Sequence, residues 1–95
     1  MITEIAILNI KENMNDQFEI NFQIASLIIS KSKGFIGHEL LKCSEVNNKY
    51  LLIVRWDSIE DHTIGFRQSK DYLKWKELLH HFYDPFPTVE HYENR

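Results

Sequence analysis

Several residue types are scarce in this 95-residue sequence, and each scarcity excludes a class of protein. The single cysteine, Cys43, has no partner for an internal disulfide. Three glycines are too few for the glycine-rich loops that cradle nucleotide phosphates, so no nucleotide cofactor is expected. No apolar run approaches the ~18 residues that a membrane-spanning helix needs. With 11 basic and 14 acidic residues, the chain also lacks the positive charge of a nucleic-acid-binding protein.

The remaining composition is that of one folded domain. Apolar residues make up 43% and charged residues 26%, which are ordinary globular values. Because a chain this short cannot form two cores, residues 1–95 are predicted to form a single domain. The first residues resemble no signal peptide, and together with the lone cysteine this predicts a cytoplasmic protein. Aromatic residues reach 13%, more than a small core holds easily, so we expect some at an interface or in a pocket.

The spacing of apolar residues predicts an α+β fold. Alternating or β-branched runs predict four strands, at Ile2–Ile10, Phe35–Ser44, Tyr50–Trp56 and Thr88–Tyr92. Helical spacing predicts one long helix over residues 13–33 and two shorter ones over 58–67 and 70–81. The order β-α-β-β-α(α)-β is that of the ferredoxin-like fold. It predicts a four-stranded antiparallel sheet with the helices on one face.

Cap residues and one apolar stripe support these helices. Asn13 is a candidate N-cap for the long helix, and Gly34 suits a left-handed position after its end. Ser58 with Asp61 resembles a capping box, and Ser69 is a candidate cap for the last helix. The predicted core stripe of the long helix consists of Phe18, Phe22, Ala25 and Ile29.

The first strand carries apolar residues on both faces, so both faces of the sheet must be covered. The helices cover only one face. In so short a chain a second copy is the simplest cover for the other, so we expect a homodimer whose sheets pack face to face.

Four segments resemble the antibiotic biosynthesis monooxygenase domain family. They are Gly34–Leu40, Tyr50–Ser58, His62–Ser69 and Pro87–Tyr92, and the similarity extends over residues 2–92. The resemblance implies a dimeric α/β barrel. It also implies oxygenation of electron-rich phenols to quinones without a cofactor.

The resemblance also suggests individual roles. Trp56 matches a family tryptophan near the substrate cavity, and His62 stands where quinone-forming members place a tyrosine that binds the phenol. Leu52 stands where those members have an asparagine. Of three functional residues in haem-degrading relatives only one has a counterpart here, Asn9, so haem degradation is not expected.

The candidate site follows from these positions. A histidine can hold or accept a phenolic proton near neutral pH, which makes His62 the candidate catalytic residue. The expected substrate-binding residues are Asn9, His38, Trp56, Phe66, Arg67 and His91. Each also has a structural alternative: a core or interface histidine, a turn-entry asparagine or a surface arginine. The histidines show no metal-ligand spacing, so no metal site is expected.

Two functions remain open at this point. The first is a cofactor-independent monooxygenase acting on an aromatic phenol or quinol. The second is a non-catalytic dimeric protein of the same fold that binds a small molecule or serves a stress response. A closed apolar cavity in which the polar groups of His62, Asn9 and His38 converge favours the enzyme, and a cavity filled by the protein's own side chains favours the second function.

Overall fold

The four predicted strands form one antiparallel sheet in the computed structural model, which describes residues 1–95. The strands are β1 (Ile2–Asn9), β2 (Phe35–Lys42), β3 (Lys49–Trp56) and β4 (Val89–Tyr92), in the order β2-β3-β1-β4. The helices are α1 (Asn15–Ile29), a π-helix (Asp61–Phe66), α2 (Lys70–Leu79) and a short 3₁₀ turn (His80–Phe82). The ferredoxin-like α+β prediction is confirmed. None of these helices is long and apolar enough to cross a membrane.

The core lies between the helices and one face of the sheet. The predicted stripe of α1 is confirmed, since Phe18, Phe22, Ala25 and Ile29 are all buried. Phe18 is fully enclosed, and its ring meets those of Tyr50 and Phe82 with centroids 4.9 and 5.8 Å away. The even-numbered residues of β1 and β3 supply the sheet side of this core because side chains alternate between the two faces of a strand.

The start of α1 differs from the sequence prediction. Asn13 does not cap the helix: it has a left-handed backbone with φ of 64°, and the cap position falls to Met14, which forms no side-chain hydrogen bond. Asparagine tolerates this conformation better than most residues and therefore serves here as a turn residue. Gly34 is left-handed as predicted, with φ of 83°, although α1 already ends at Ile29.

A β-bulge near the start of β2 changes the predicted alternation. Phe35 pairs with Trp56 and Gly37 with Arg55, so Ile36 is an extra residue in the strand. Strict alternation along β2 would place Phe35 and His38 on opposite faces of the sheet. Instead the bulge brings both to the helix side, where their ring centroids are 6.0 Å apart.

The segment after β3 is helical as predicted and is capped as predicted. Ser58 Oγ donates to Asp61 Oδ2 at 3.1 Å and accepts from the Asp61 backbone N–H at 3.2 Å. Ser69 caps α2 by accepting from the backbone N–H of Tyr72. The sequence did not predict the type of the helix that follows β3, which is a π-helix rather than an α-helix.

The second face of the sheet carries no helix. Its apolar side chains are partly or largely exposed: Ile5, Ile7, Leu41, Leu51, Ile53 and Tyr92. Side chains at these positions point away from the core because their neighbours along each strand point into it.

Candidate active site

The π-helix turns two side chains of the candidate site into the core. His62 and Phe66 are four residues apart and are 4% and 2% exposed. The Arg67 backbone N–H donates to the His62 carbonyl at 3.1 Å, five residues back, which is the hydrogen bond of a π turn. Such turns are frequent at functional sites. The same turn leaves the Arg67 side chain exposed at the surface.

Trp56 fixes the ring of His62 and one oxygen of a buried carboxylate. The two rings stack, with centroids 5.2 Å apart and planes inclined by 19°. Trp56 Nε1–H donates to Glu4 Oε1 at 2.9 Å, and both groups are buried. A buried carboxylate needs such donors because it has lost its water.

His62 bridges two neighbouring strands. Glu4 on β1 lies opposite His91 on the edge strand β4. Nδ1 of His62 is 2.8 Å from Nε2 of His91, and Nε2 of His62 is 3.4 Å from Glu4 Oε1. The contacts assign the tautomers: His62 carries its proton on Nε2, toward the carboxylate, and accepts at Nδ1 from His91.

Burial dominates the electrostatics of this cluster. It raises the pKa of Glu4, against the opposing effects of the Trp56 hydrogen bond and the positive charge of Arg67. Burial, together with the charges of Arg67 and His91, lowers the pKa of His62 to about 3. The pKa of His91 is also lowered, mainly by burial and then by Arg67. Both imidazoles are therefore neutral at pH 7, beside a carboxyl group of raised pKa.

A cavity of about 80 Å³ lies against this cluster, between the sheet and the helices. Ten of its 15 lining residues are apolar, and Glu4, His62 and Arg67 form its polar end. The remaining lining includes Leu52, Phe66, Tyr72, Trp75, Tyr83 and the exposed Phe86. A dry protein cavity that accepts benzene has about 150 Å³. An aromatic ring must therefore move the cavity's rim, where Phe86 and Arg67 are exposed.

The structure brings five of the seven sequence-predicted site residues together. His62, Phe66 and Arg67 line the cavity, Trp56 stacks behind His62, and His91 contacts it from β4. No group of three His, Cys, Asp or Glu side chains is arranged to hold a metal ion.

Asn9 and His38 lie elsewhere. Asn9 follows Ile7 on the helix-free face of β1, and its carbonyl accepts from the Asp84 backbone N–H at 2.9 Å. His38 is exposed on the edge strand β2, where it packs against Phe22 with ring centroids 5.8 Å apart. Neither residue lines the cavity.

Glu4 was not predicted from the sequence as a site residue. A usable signal was present, since this acid alternates with Ile2, Ala6 and Leu8 on one face of a strand. A lone carboxylate in an apolar strand face must be paired if that face is buried. Two cavity tyrosines, Tyr72 and Tyr83, were also missed because they occupy ordinary core and turn positions.

Comparison with known proteins agrees with this architecture. The model of the antibiotic biosynthesis monooxygenase family matches residues 1–78. The chain is 54% identical over 94 residues to the uncharacterized protein YczJ of Bacillus subtilis (strain 168), covering 99% of both chains.

Two solved structures show the same fold. A Bordetella bronchiseptica protein, provisionally named an antibiotic biosynthesis monooxygenase, has a TM-score of 0.94 at 28% identity; the match covers 99% of this chain and 96% of that one. SnoaB from Streptomyces nogalater, described as a cofactor-independent oxygenase, has a TM-score of 0.75 at 21% identity, with 99% and 92% covered. On the strength of the matched family model and the relative in Bacillus, this chain belongs to the antibiotic biosynthesis monooxygenase family.

Proposed function

We propose that the protein is a cofactor-independent monooxygenase that acts on a small aromatic phenol or quinol. The observation that carries the proposal is the polar end of an otherwise apolar cavity, where Glu4, His62 and Arg67 converge. Such pockets, with a few polar groups and perturbed pKa values, are typical of active sites. The match to the family model and the likeness to SnoaB support the reaction type.

The chemistry requires a substrate anion. A phenol loses its proton, the electron-rich anion passes an electron to O₂, and the two radicals combine at a ring carbon. Loss of water then leaves the quinone, so that one phenol and one O₂ give one quinone and one water. In this proposal Phe66 and Trp75 pack the ring, and Arg67 at the rim favours the anion. His62 takes part in the site through Glu4 and His91, which its two ring nitrogens contact.

Loss of His62 is expected to abolish most turnover. In the variant His62→Ala, oxygen uptake with hydroquinones, hydroxyquinols and anthrones should fall by about 10²-fold or more, because acid–base groups contribute about that much and the change removes the ring that contacts both Glu4 and His91. His81→Ala is the matched control, because His81 is exposed and does not line the cavity. Equal oxygen uptake by parent and His62→Ala would remove His62 from the mechanism.

One observation favours a second function, non-catalytic binding of a small molecule. The cavity is small because the protein's own aromatic side chains fill much of the space between sheet and helices. For a binder, phenols or quinones would raise the melting temperature without any oxygen uptake. For an enzyme, at least one of the compounds that raise the melting temperature would also be consumed together with O₂.

We further propose that the protein works as a cytoplasmic homodimer. The exposed apolar side chains on the helix-free sheet face, among them Ile7 and Leu41, support a second copy as their cover. Light scattering is expected to give the mass of two chains for the parent and of one chain for Ile7→Lys. A monomeric parent would contradict the dimer.

A further inference from the structure

Neither ring nitrogen of His62 is free to meet a substrate. Nδ1 is 2.8 Å from His91 Nε2, and Nε2 is 3.4 Å from Glu4 Oε1. The stacked contact with Trp56 covers one face of the ring. A phenolic hydroxyl could reach a nitrogen of this imidazole only by displacing one of these neighbours.

Glu4, in contrast, has an oxygen open to the cavity. Oε1 accepts from Trp56 and faces His62. Oε2 has no partner in the protein. Every fully buried polar side-chain atom does have a hydrogen-bond partner, so Oε2 is not sealed in the core, and Glu4 is one of the residues that line the cavity.

We propose that Glu4 is the residue that takes the phenolic proton, through Oε2, and that His62 is a positioning residue that holds the carboxylate in place. This inference rests on the proposed function, because it concerns the same cavity. In the step, the substrate O–H bond breaks, a bond from Oε2 to hydrogen forms, and the electron pair stays on the substrate oxygen. No oxidant is needed until the resulting anion meets O₂.

The charge balance of the site favours this transfer. The carboxylate becomes neutral as the phenolate forms, so the number of buried negative charges does not change. A base is most effective when its pKa approaches that of the group it deprotonates, and burial raises the pKa of Glu4 in that direction. Neutral His62 stabilises the carboxylate through its Nε2–H dipole rather than by charge, and His91 contacts the other ring nitrogen of His62.

Other ionisable groups in the cavity do not fit the role as well. The remaining ionisable residues that line the cavity are Arg67, Tyr72, His80 and Tyr83. Arginine is always protonated in proteins, and burial raises the pKa of Tyr83, so neither accepts a proton near neutral pH. His80 belongs to the 3₁₀ turn, and its ring packs against Tyr72, Tyr83 and Phe86 rather than against the Trp56 and His62 rings that contact Glu4.

The test uses 4-nitrophenol, whose phenolate absorbs at longer wavelength than its neutral form, in buffer below the probe's own pKa. The full-length parent is expected to bind it as the phenolate. Glu4→Gln keeps the shape and an acceptor for Trp56 but cannot take the proton, so it should bind the neutral phenol. Glu77→Gln, the same change at an exposed position of α2, should behave as the parent.

Infrared difference spectroscopy on the parent gives a second readout that needs no variant. Binding of the probe should produce the carbonyl band of a protonated carboxyl group, and this band should shift when glutamate is ¹³C-labelled. In His62→Gln the pH at which the bound probe ionises should move, because Glu4 loses a neighbour that stabilises its charge.

The outcomes distinguish the role of Glu4 from the proposed function. A parent that binds the probe as the neutral phenol, without a new carboxyl band, overturns the role of Glu4 and leaves the proposed function standing. Retention of the phenolate in Glu4→Gln overturns it in the same way. A parent that binds no phenol at all overturns the proposed function, and the role of Glu4 with it.

Discussion

Replacing Gly34 with alanine is expected to lower the free energy of unfolding by about 2–5 kcal/mol. The backbone here is left-handed, with φ of 83°, which costs a residue with a Cβ about 1–2 kcal/mol. The new Cβ would also lie only 2.7 Å from Cβ of Asp61 and nearer still to its carboxyl group. That overlap adds about 1–3 kcal/mol of overpacking. The total free energy of unfolding of a native protein is about 5–15 kcal/mol, so this loss is a large fraction of it.

Gly37→Ala is the matched control, because a Cβ there meets nothing within 4 Å and φ is not positive. Denaturant unfolding, followed by circular dichroism, compares the two variants with the parent. The same measurement also tests the surroundings of the candidate active site, because Asp61 is the first residue of the π-helix that carries His62. Equal stability of Gly34→Ala and Gly37→Ala would contradict the close packing of the β2 start on this helix.

Truncating Trp56 to alanine is expected to have a comparably large effect. The side chain is fully buried, and deleting such a residue costs about 3–5 kcal/mol. Trp56→Phe tests the hydrogen bond separately from the packing of the ring. The variant keeps an aromatic ring but leaves Glu4 Oε1 without the hydrogen bond from Trp56. Loss of a hydrogen bond to a charged group costs about 1.5–3 kcal/mol.

The second tryptophan provides the control for this prediction. Trp75 is 7% exposed and makes no side-chain hydrogen bond to the protein, so Trp75→Phe should cost less than about 1.5 kcal/mol. Thermal and denaturant unfolding of the three variants gives the comparison. If Trp56→Phe were no less stable than Trp75→Phe, the Trp56–Glu4 bond would contribute nothing to the fold.

The element order could be read from the sequence because each element has a clear period. The spacing of Phe18, Phe22 and Ala25 predicts the buried face of α1, and the alternation in β3 predicts its two faces. The local errors have physical causes. The bulge at Ile36 inserts one residue into a strand, and the alternation of apolar residues does not predict such an insertion. Asn13 suits a left-handed turn as well as a helix cap.

The candidate site was predictable only in part. His62 and Trp56 were identified from the resemblance to the family, but their contact depends on a π-helix, and π turns have no distinctive residue pattern. Asn9 could not be placed, because both faces of β1 are apolar and the sequence does not say which one meets the helices. The pairing of Glu4 with His91 joins the two ends of the chain through the sheet. Such long-range register is invisible in a single sequence.

The proposed reaction is tested most directly by oxygen consumption of the purified parent with a panel of phenols and hydroquinones, with no flavin, haem or metal added. We expect at least one compound to be consumed one for one with O₂, to yield a quinone that carries one oxygen atom from ¹⁸O₂ while the other atom leaves as water, and to be consumed at least about 10²-fold more slowly by His62→Ala. Binding of phenols in the cavity without any oxygen uptake would contradict a monooxygenase and leave a small-molecule-binding protein.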